Sequence, residues 1–180
     1  MMGFPASSDA NLRGEFATLL GDLAEVEVGV TPAESYADLA SKLHEGAVQL
    51  AWLSPIPYIA LAHTGTVSPL VYHERTDKTY ASALLVQADS HVKRVADLRG
   101  ARAAWVDRHS AAGYVVPRIQ LALARVDPRT ELGEQRFFGS HEAVVRAIAA
   151  REVDFGATFA HRAADGTVSG PWSQLPDVAE

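Results

Sequence analysis

Asp107-Arg108-His109-Ser110-Ala111-Ala112-Gly113-Tyr114 separates a short apolar strand, Ala103 to Val106, from an amphipathic run, Tyr114 to Ala124. A strand that feeds a small, polar, glycine-containing turn opening a helix is an anion-binding arrangement. The first amides of a helix have no intrahelical partner. The aligned peptide dipoles add about half a positive charge at that end. An oxyanion or carboxylate fits there with no other special chemistry. The same residues admit a plainer role, in which Ser110 only caps the helix. Taken alone the turn favours the cap, because such caps are frequent in α/β domains.

Outward from this turn, apolar patches alternate between strand-like and helix-like periods. Met1 to Pro5 reads as a first strand, and Asn11 to Leu23 as a helix with Leu12, Phe16, Leu19, Leu20 and Leu23 on one face. Val26 to Val30 reads as a strand. Tyr36, Leu39, Ala40 and Leu43 form a second helix face, closed by Gly46 as C-terminal cap. Val48 to Leu53 reads as a buried strand, and Ile56 to Ala62 as a helix with Pro55 and Pro57 at its start, where proline is tolerated. Val67–Tyr72, Tyr80–Gln87, Gln135–Phe138 and Asp154–Phe159 are expected strands, and His141–Ala150 an expected helix with Val144, Val145 and Ile148 inward. Trp52 and Trp105 sit inside apolar strands and read as core, or as core residues edging a ligand cleft. From Arg162 the chain is polar, rich in Gly and Pro, and expected to be irregular.

The alternation of strand and helix implies parallel sheets with helices on both faces. In such open sheets, ligands sit beyond the carboxyl ends of the strands. Three polar segments fall at such ends and each leads into a helix: Ser54-Pro55, Asp107 to Gly113, and Gly139-Ser140-His141. Together they point to a pocket more strongly than any one of them.

Composition narrows the function classes. A net charge of −6 and no run of Lys or Arg argue against nucleic-acid binding. The chain has no cysteine, which removes disulfides, thiolate metal sites and thiol catalysis. No apolar stretch approaches the ~20 residues that span a bilayer, so no direct membrane insertion is expected. Met1-Met2-Gly3-Phe4-Pro5 lacks the basic and long apolar regions of a signal peptide. The expectation is a cytoplasmic chain or one whose leader is absent from this sequence. There is no Gly-x-Ser-x-Gly elbow, phosphate-binding loop or Gly-x-Gly-x-x-Gly. The seven histidines show no His-x-x-x-His spacing. Neither a cofactor nor a metal is expected, and no acid/base pair is evident.

Five strings occur in order: Gln49-Leu-Ala-Trp-Leu-Ser-Pro-Ile-Pro-Tyr58, Thr79-Tyr-Ala-Ser-Ala-Leu-Leu-Val86, Asp107 to Tyr114, Gly139-Ser-His141 and Val153-Asp-Phe-Gly-Ala157. The chain in this respect resembles the phosphonate/phosphite/phosphate substrate-binding components of ABC transporters, of the type 2 periplasmic binding protein fold. The resemblance implies two α/β lobes that clamp a ligand, lobe one over residues 1–76, lobe two over 77–160, and an irregular tail over 161–180. It also implies a further segment returning to lobe one, so the first lobe is expected to be incomplete, with an open edge and exposed apolar surface. A homodimer covering that surface is the corresponding expectation. Partners would be a small oxyanion and an ABC permease, and the compartment periplasmic or lipid-anchored.

Residue by residue, the resemblance places Ser110 at the first hydroxyl of the family's Ser-Thr-Ser-Gly-Tyr turn, and Gly113 and Tyr114 at its end. Ala111 and Ala112 replace the Thr and the second Ser, whose hydroxyls donate to the anion. Each hydrogen bond lost to a charged group is worth about 1.5–3 kcal/mol, unless His109 compensates. His141 matches a ligand-contacting His, Tyr80 a ligand-contacting aromatic, and Ser54 and Tyr58 the approach from the first lobe. Each has a structural alternative: local hydrogen bonding for His141, strand packing for Tyr80, an exposed rim for His109. Asp107 suits bracing of the turn through backbone amides, and Tyr114 suits packing. The leading expectation is a non-catalytic oxyanion binder in a transporter. The alternatives are a cytoplasmic or fused sensor domain, a chorismate-dehydratase-like enzyme on the same fold, and a binding-defective remnant kept for protein contacts.

Overall fold

A computed structural model of the protein describes residues 1–4, 10–72 and 78–174. The chain divides into two compact units, Met1–Tyr72 and His73–Glu180.

The first unit is a small parallel α/β layer. Strands β1 (Met2–Phe4), β2 (Val30–Pro32) and β3 (Leu50–Ala51) form one sheet in the order β2-β1-β3. Met2 pairs with Val30 on one side and Leu50 on the other, both parallel. Helices α1 (Ala10–Ala24), α2 (Tyr36–His44) and α3 (Pro55–His63) connect and follow these strands. Ser35 caps α2 by accepting the Asp38 amide at 3.1 Å. The Gly46 amide donates to the Leu43 carbonyl beyond the helix end. Leu39 is fully buried and packs with Val48 against β1 at Gly3, where an added methyl would meet Leu39 Cδ1. Helix α1 has its expected period but not its expected burial. Only Ala17 is buried, while Leu12, Leu19 and Leu23 are exposed.

Three local expectations fail in this unit. The strand expected at Val26 forms at Val30–Pro32 instead. No strand forms over Val67–Tyr72, where Leu70, Val71 and Tyr72 are all more than 80% exposed. Pro69 interrupts that stretch and has no amide to donate to a ladder. Trp52 lies outside β3 and is exposed, its ring edge-on to Phe16 at 6.0 Å, so it is not a core residue. Half-exposed aromatics of this kind carry a strand's composition without its pairing.

The second unit is built on a five-stranded mixed sheet. β4 (Lys78–Val86) and β7 (Phe155–Ala163) pair antiparallel over nine residues, from Lys78 opposite Ala163 to Val86 opposite Phe155. β5 (Ala103–Trp105) runs parallel to β7 and to β6 (Gln135–Phe137), and β8 (Val168–Ser169) pairs antiparallel with β7. The expectation of a purely parallel sheet is therefore corrected: β4 and β8 are antiparallel. The pairing of β4 with β7 joins residues 69 to 85 positions apart in sequence, a distance at which local periodicity is silent. β7 also runs past the expected Phe159 to Ala163.

Helices α4 (Val116–Leu123) and α5 (His141–Ala149) cover opposite faces of this sheet. The strand period of two sorts the core: Ala103, Trp105, Phe155 and Ala157 pack with Leu121, whereas Ala104 and Val106 pack with Val144 and Ile148. Trp105 is fully buried and meets Phe155 edge-on at 5.7 Å. Residues 175–180 of the expected tail lie outside the described residues. As far as Gln174 the segment after Arg162 is not irregular as expected. It completes β7, forms β8 and then a short 3₁₀ turn, Pro171–Gln174, whose Trp172 is buried against Val145 and Ala160. Gly and Pro there mark tight connections, and one large aromatic supplies the anchoring burial.

Candidate functional site

Because β5 and β6 are parallel neighbours, with Trp105 opposite Phe137, the turns that follow them leave the same end of the sheet. The Phe138 amide donates to the Trp105 carbonyl and the Gly139 amide to the Val106 carbonyl, both at 2.9 Å, so the two turns start side by side.

The first turn is fixed from within. Asp107 Oδ1 accepts the His109 amide at 2.7 Å and lies 3.2 Å from His109 Nδ1. This is the bracing expected of Asp107, and it holds His109 against the turn's own carboxylate. Ser110 is buried, and its Oγ accepts the Gly113 amide at 3.1 Å. The cap reading of Ser110 is thus met. The Val106 amide donates to the Gly113 carbonyl at 3.2 Å, folding the turn back onto its strand. Any β-carbon at Gly113 would sit 2.4 Å from Val106 Cγ2, so only glycine permits that approach. Ala111–Val115 make a wide π-type turn before α4. The helix thus starts three residues earlier than the apolar period indicates. Ser82 on β4 donates to the Ala112 carbonyl at 2.7 Å and ties the turn to the long ribbon. Tyr114 packs edge-on against Trp105 at 5.6 Å, as expected of a packing residue.

The second turn takes its sharp bend at Gly139, whose φ of +80° lies in the left-handed region that suits glycine. Ser140 caps α5 by accepting the Ala143 amide at 3.1 Å, and His141 is the first helical residue. The His141 ring has two partners. Nδ1 lies 3.0 Å from Oγ1 of Thr158, a fully buried residue of β7. The ring also stands edge-on to Phe159 with centroids 4.9 Å apart. Burial pulls the His141 pKa below the ordinary value for a histidine, and the nearby Glu142 carboxylate opposes this more weakly.

Tyr80 sits opposite His161 in the β4–β7 ladder, and Ser82 opposite Phe159. Cross-strand partners share a face, which gathers Tyr80, Phe159 and His161. Tyr80 stacks on Phe159 at 6.1 Å and approaches His161 at 5.7 Å. Tyr80 keeps more than half of its surface exposed. Tyr80 and His141 thus meet the same Phe159 ring from different elements. Ser110, Ala111, Ala112 and Gly113 join this cluster through the bond between Ser82 and Ala112. His109 is half-buried, and its only hydrogen-bond partner among the described residues is Asp107.

Ser54 and Tyr58 belong to the first unit. Ser54 precedes α3 without a side-chain cap bond, and its buried Oγ has no hydrogen-bond partner among the described residues. Tyr58 is half-buried, its amide donating to the Ser54 carbonyl at 3.2 Å. Four members of the second unit's cluster escape a local reading of the sequence: Ser82, Thr158, Phe159 and His161. The alternation Phe159-x-His161 opposite Tyr80-x-Ser82 was the available signal, and it becomes legible only once the strand pairing is known. Among the described residues no three His, Asp or Glu side chains gather as a metal site, and no helix is long and apolar enough to cross a membrane.

A family model described as ABC transporter, phosphonate, periplasmic substrate-binding protein matches residues 4–172. Among solved structures, PhnD1 of Prochlorococcus marinus in complex with methylphosphonate is 19% identical with a TM-score of 0.73, over 87% of this chain and 61% of that one. A binding-protein component of an ABC phosphonate transporter from Pseudomonas aeruginosa is 19% identical with a TM-score of 0.69, over 88% and 56%. A Xanthomonas citri protein solved with ATP is 20% identical with a TM-score of 0.69, over 88% and 63%. The chain thus spans less than two thirds of the length of each. At these identities the likeness establishes the fold, that of type 2 periplasmic binding proteins, and the family match does the rest: the chain belongs to the periplasmic substrate-binding proteins of phosphonate ABC transporters.

Proposed function

We propose that the second unit binds a small phosphonate- or phosphate-like oxyanion at the shared end of β5 and β6, without catalysis. The chain would act as the solute-binding component of a periplasmic ABC transporter and deliver that ligand to its membrane permease. One observation carries this reading. Two capped helix starts leave adjacent parallel strands, so amides free of intrahelical partners lie at one end of the sheet, beside a ring nitrogen of His141. The turn after β5 recognises the anion through its backbone and the Ser110 hydroxyl, whose proton is available while its oxygen accepts the Gly113 amide. His141 supplies a side-chain donor, and Tyr80 a ring beside it. The methylphosphonate found in the Prochlorococcus protein supports the ligand class by likeness. Ser54 and Tyr58 are proposed contacts on the resemblance alone.

Thermal unfolding against phosphate, phosphite, methylphosphonate, aminoethylphosphonate, sulfate and several carboxylates tests the reading. A ligand at a hundred times its Kd stabilises a fold by about 2.7 kcal/mol, several degrees for a protein of this size. The expected result is a shift with a phosphorus oxyanion that Ser110→Ala and His141→Ala diminish. A folded chain that responds to none of these compounds would rule the reading out.

A further inference from the structure

Resting on the reading of the second unit as an oxyanion site, we infer that Thr158 is a positioning residue that fixes His141 as a neutral imidazole protonated on Nε2, so that the ring donates to the anion without carrying charge. Thr158 is fully buried, and its hydroxyl lies 3.0 Å from His141 Nδ1. Among the described residues that hydroxyl has no other hydrogen-bond partner. A hydroxyl has one proton and two lone pairs, and a neutral imidazole has one N–H and one lone pair. Only two arrangements of the pair exist. If the Thr158 hydroxyl donates to the Nδ1 lone pair, every buried proton is satisfied and the ring's own proton sits on Nε2. If Nδ1–H donates to Oγ1 instead, the Thr158 proton is buried with no acceptor, and an unmade buried hydrogen bond carries the full desolvation cost. The first arrangement wins.

Its consequence falls on the other nitrogen. Among the described residues Nε2 has no hydrogen-bond partner and the ring is only partly buried, so its N–H is left for a ligand. Protonating Nδ1 would force Thr158 to accept and strand the same hydroxyl proton, so the pair resists the imidazolium. Burial of the ring acts in the same direction. The ionisable groups around it are Glu142 on its own helix, which opposes that shift, His161 beyond Phe159 on β7, and Tyr80 on β4. A donor that needs no proton from solution keeps its strength across neutral and mildly alkaline pH.

The test is a long-range proton–nitrogen spectrum of the ¹⁵N-labelled 180-residue chain at pH 8 without ligand, followed by titration with methylphosphonate. Wild type and Thr158→Ser should show His141 with a pyridine-like Nδ1 and a pyrrole-like Nε2. The isosteric Thr158→Val should show a tautomer mixture. Methylphosphonate affinity should fall about tenfold in Thr158→Val and return in Thr158→Ser. A wild-type His141 that is protonated on Nδ1 or doubly protonated at pH 8 overturns the inference, as does an unchanged nitrogen spectrum in Thr158→Val. The correct tautomer in a chain that binds neither methylphosphonate nor inorganic phosphate overturns the ligand reading instead, and leaves the role of Thr158 standing.

Discussion

The two turns at the end of the second unit's sheet solve the same problem with different means. After β5, Asp107 accepts the His109 amide and Ser110 accepts the Gly113 amide, and Ala111 and Ala112 offer no side-chain donor. After β6, the turn is held by a cap and one glycine, and its first helical residue reaches out to Thr158 and Phe159. The first turn is closed on itself by its own bonds, whereas the second is simpler in backbone and presents a histidine. On the proposed reading, this division would place recognition on backbone amides in one turn and on a histidine in the other.

The largest effect that separates the two turns is expected at Gly113. Gly113→Ala drives a methyl into Val106 and should cost about 1–3 kcal/mol, read as a fall in Tm. Anion binding should be lost with it, because the turn that presents the amides is displaced. An unchanged Tm would show that the turn is looser than its bonds suggest.

His141→Ala probes the other side. It should leave the cap of α5 intact, lower Tm through a stranded Thr158 hydroxyl that costs about 1–3 kcal/mol, and weaken methylphosphonate binding by about tenfold or more in calorimetric titration. A drop in Tm with unchanged affinity would make His141 a structural residue and return recognition to the first turn.

Ala111→Thr sharpens the contrast in the opposite direction. Ala111 is half-buried at the turn, so a hydroxyl there has room to reach a ligand, and affinity should rise by a fewfold. No gain would mean that backbone amides alone saturate the anion on that side.

The smallest effect concerns the sheet's opposite end, where Arg102 donates to Asp154 at 2.8 Å. Arg102 holds the Asp154 carboxyl below its ordinary pKa. A carboxylate depressed in the folded state contributes stability above its unfolded pKa, near 4, and loses that contribution as pH falls through its folded value. Asp154→Asn should therefore lower Tm slightly at pH 7 and flatten the acid side of the Tm–pH curve.

Much of this was legible in the sequence. The strand-turn-helix grammar located both turns, and Asp107, Ser110 and Tyr114 play the local roles their side chains suggest. Residues that act within four positions of themselves are readable because their partners are near in the chain. Thr158 and Phe159 were not readable as site residues, since their roles come from Ser82, Tyr80 and His141 on other elements. The Val67–Tyr72 stretch and Trp52 misled for the complementary reason: their composition is that of a strand or core, and composition does not say whether a neighbour arrives. Trp172 shows the reverse, a buried aromatic inside a segment whose Gly and Pro read as irregular.

The nine-pair ladder of β4 and β7 has a consequence for how this protein can vary. Tyr80, Ser82, Phe159 and His161 share a face only while Tyr80 stays opposite His161. A one-residue insertion within either strand turns the strand's remaining side chains to the other face and scatters the cluster in a single step. Descendants of this chain are therefore held to a fixed residue count along the ribbon.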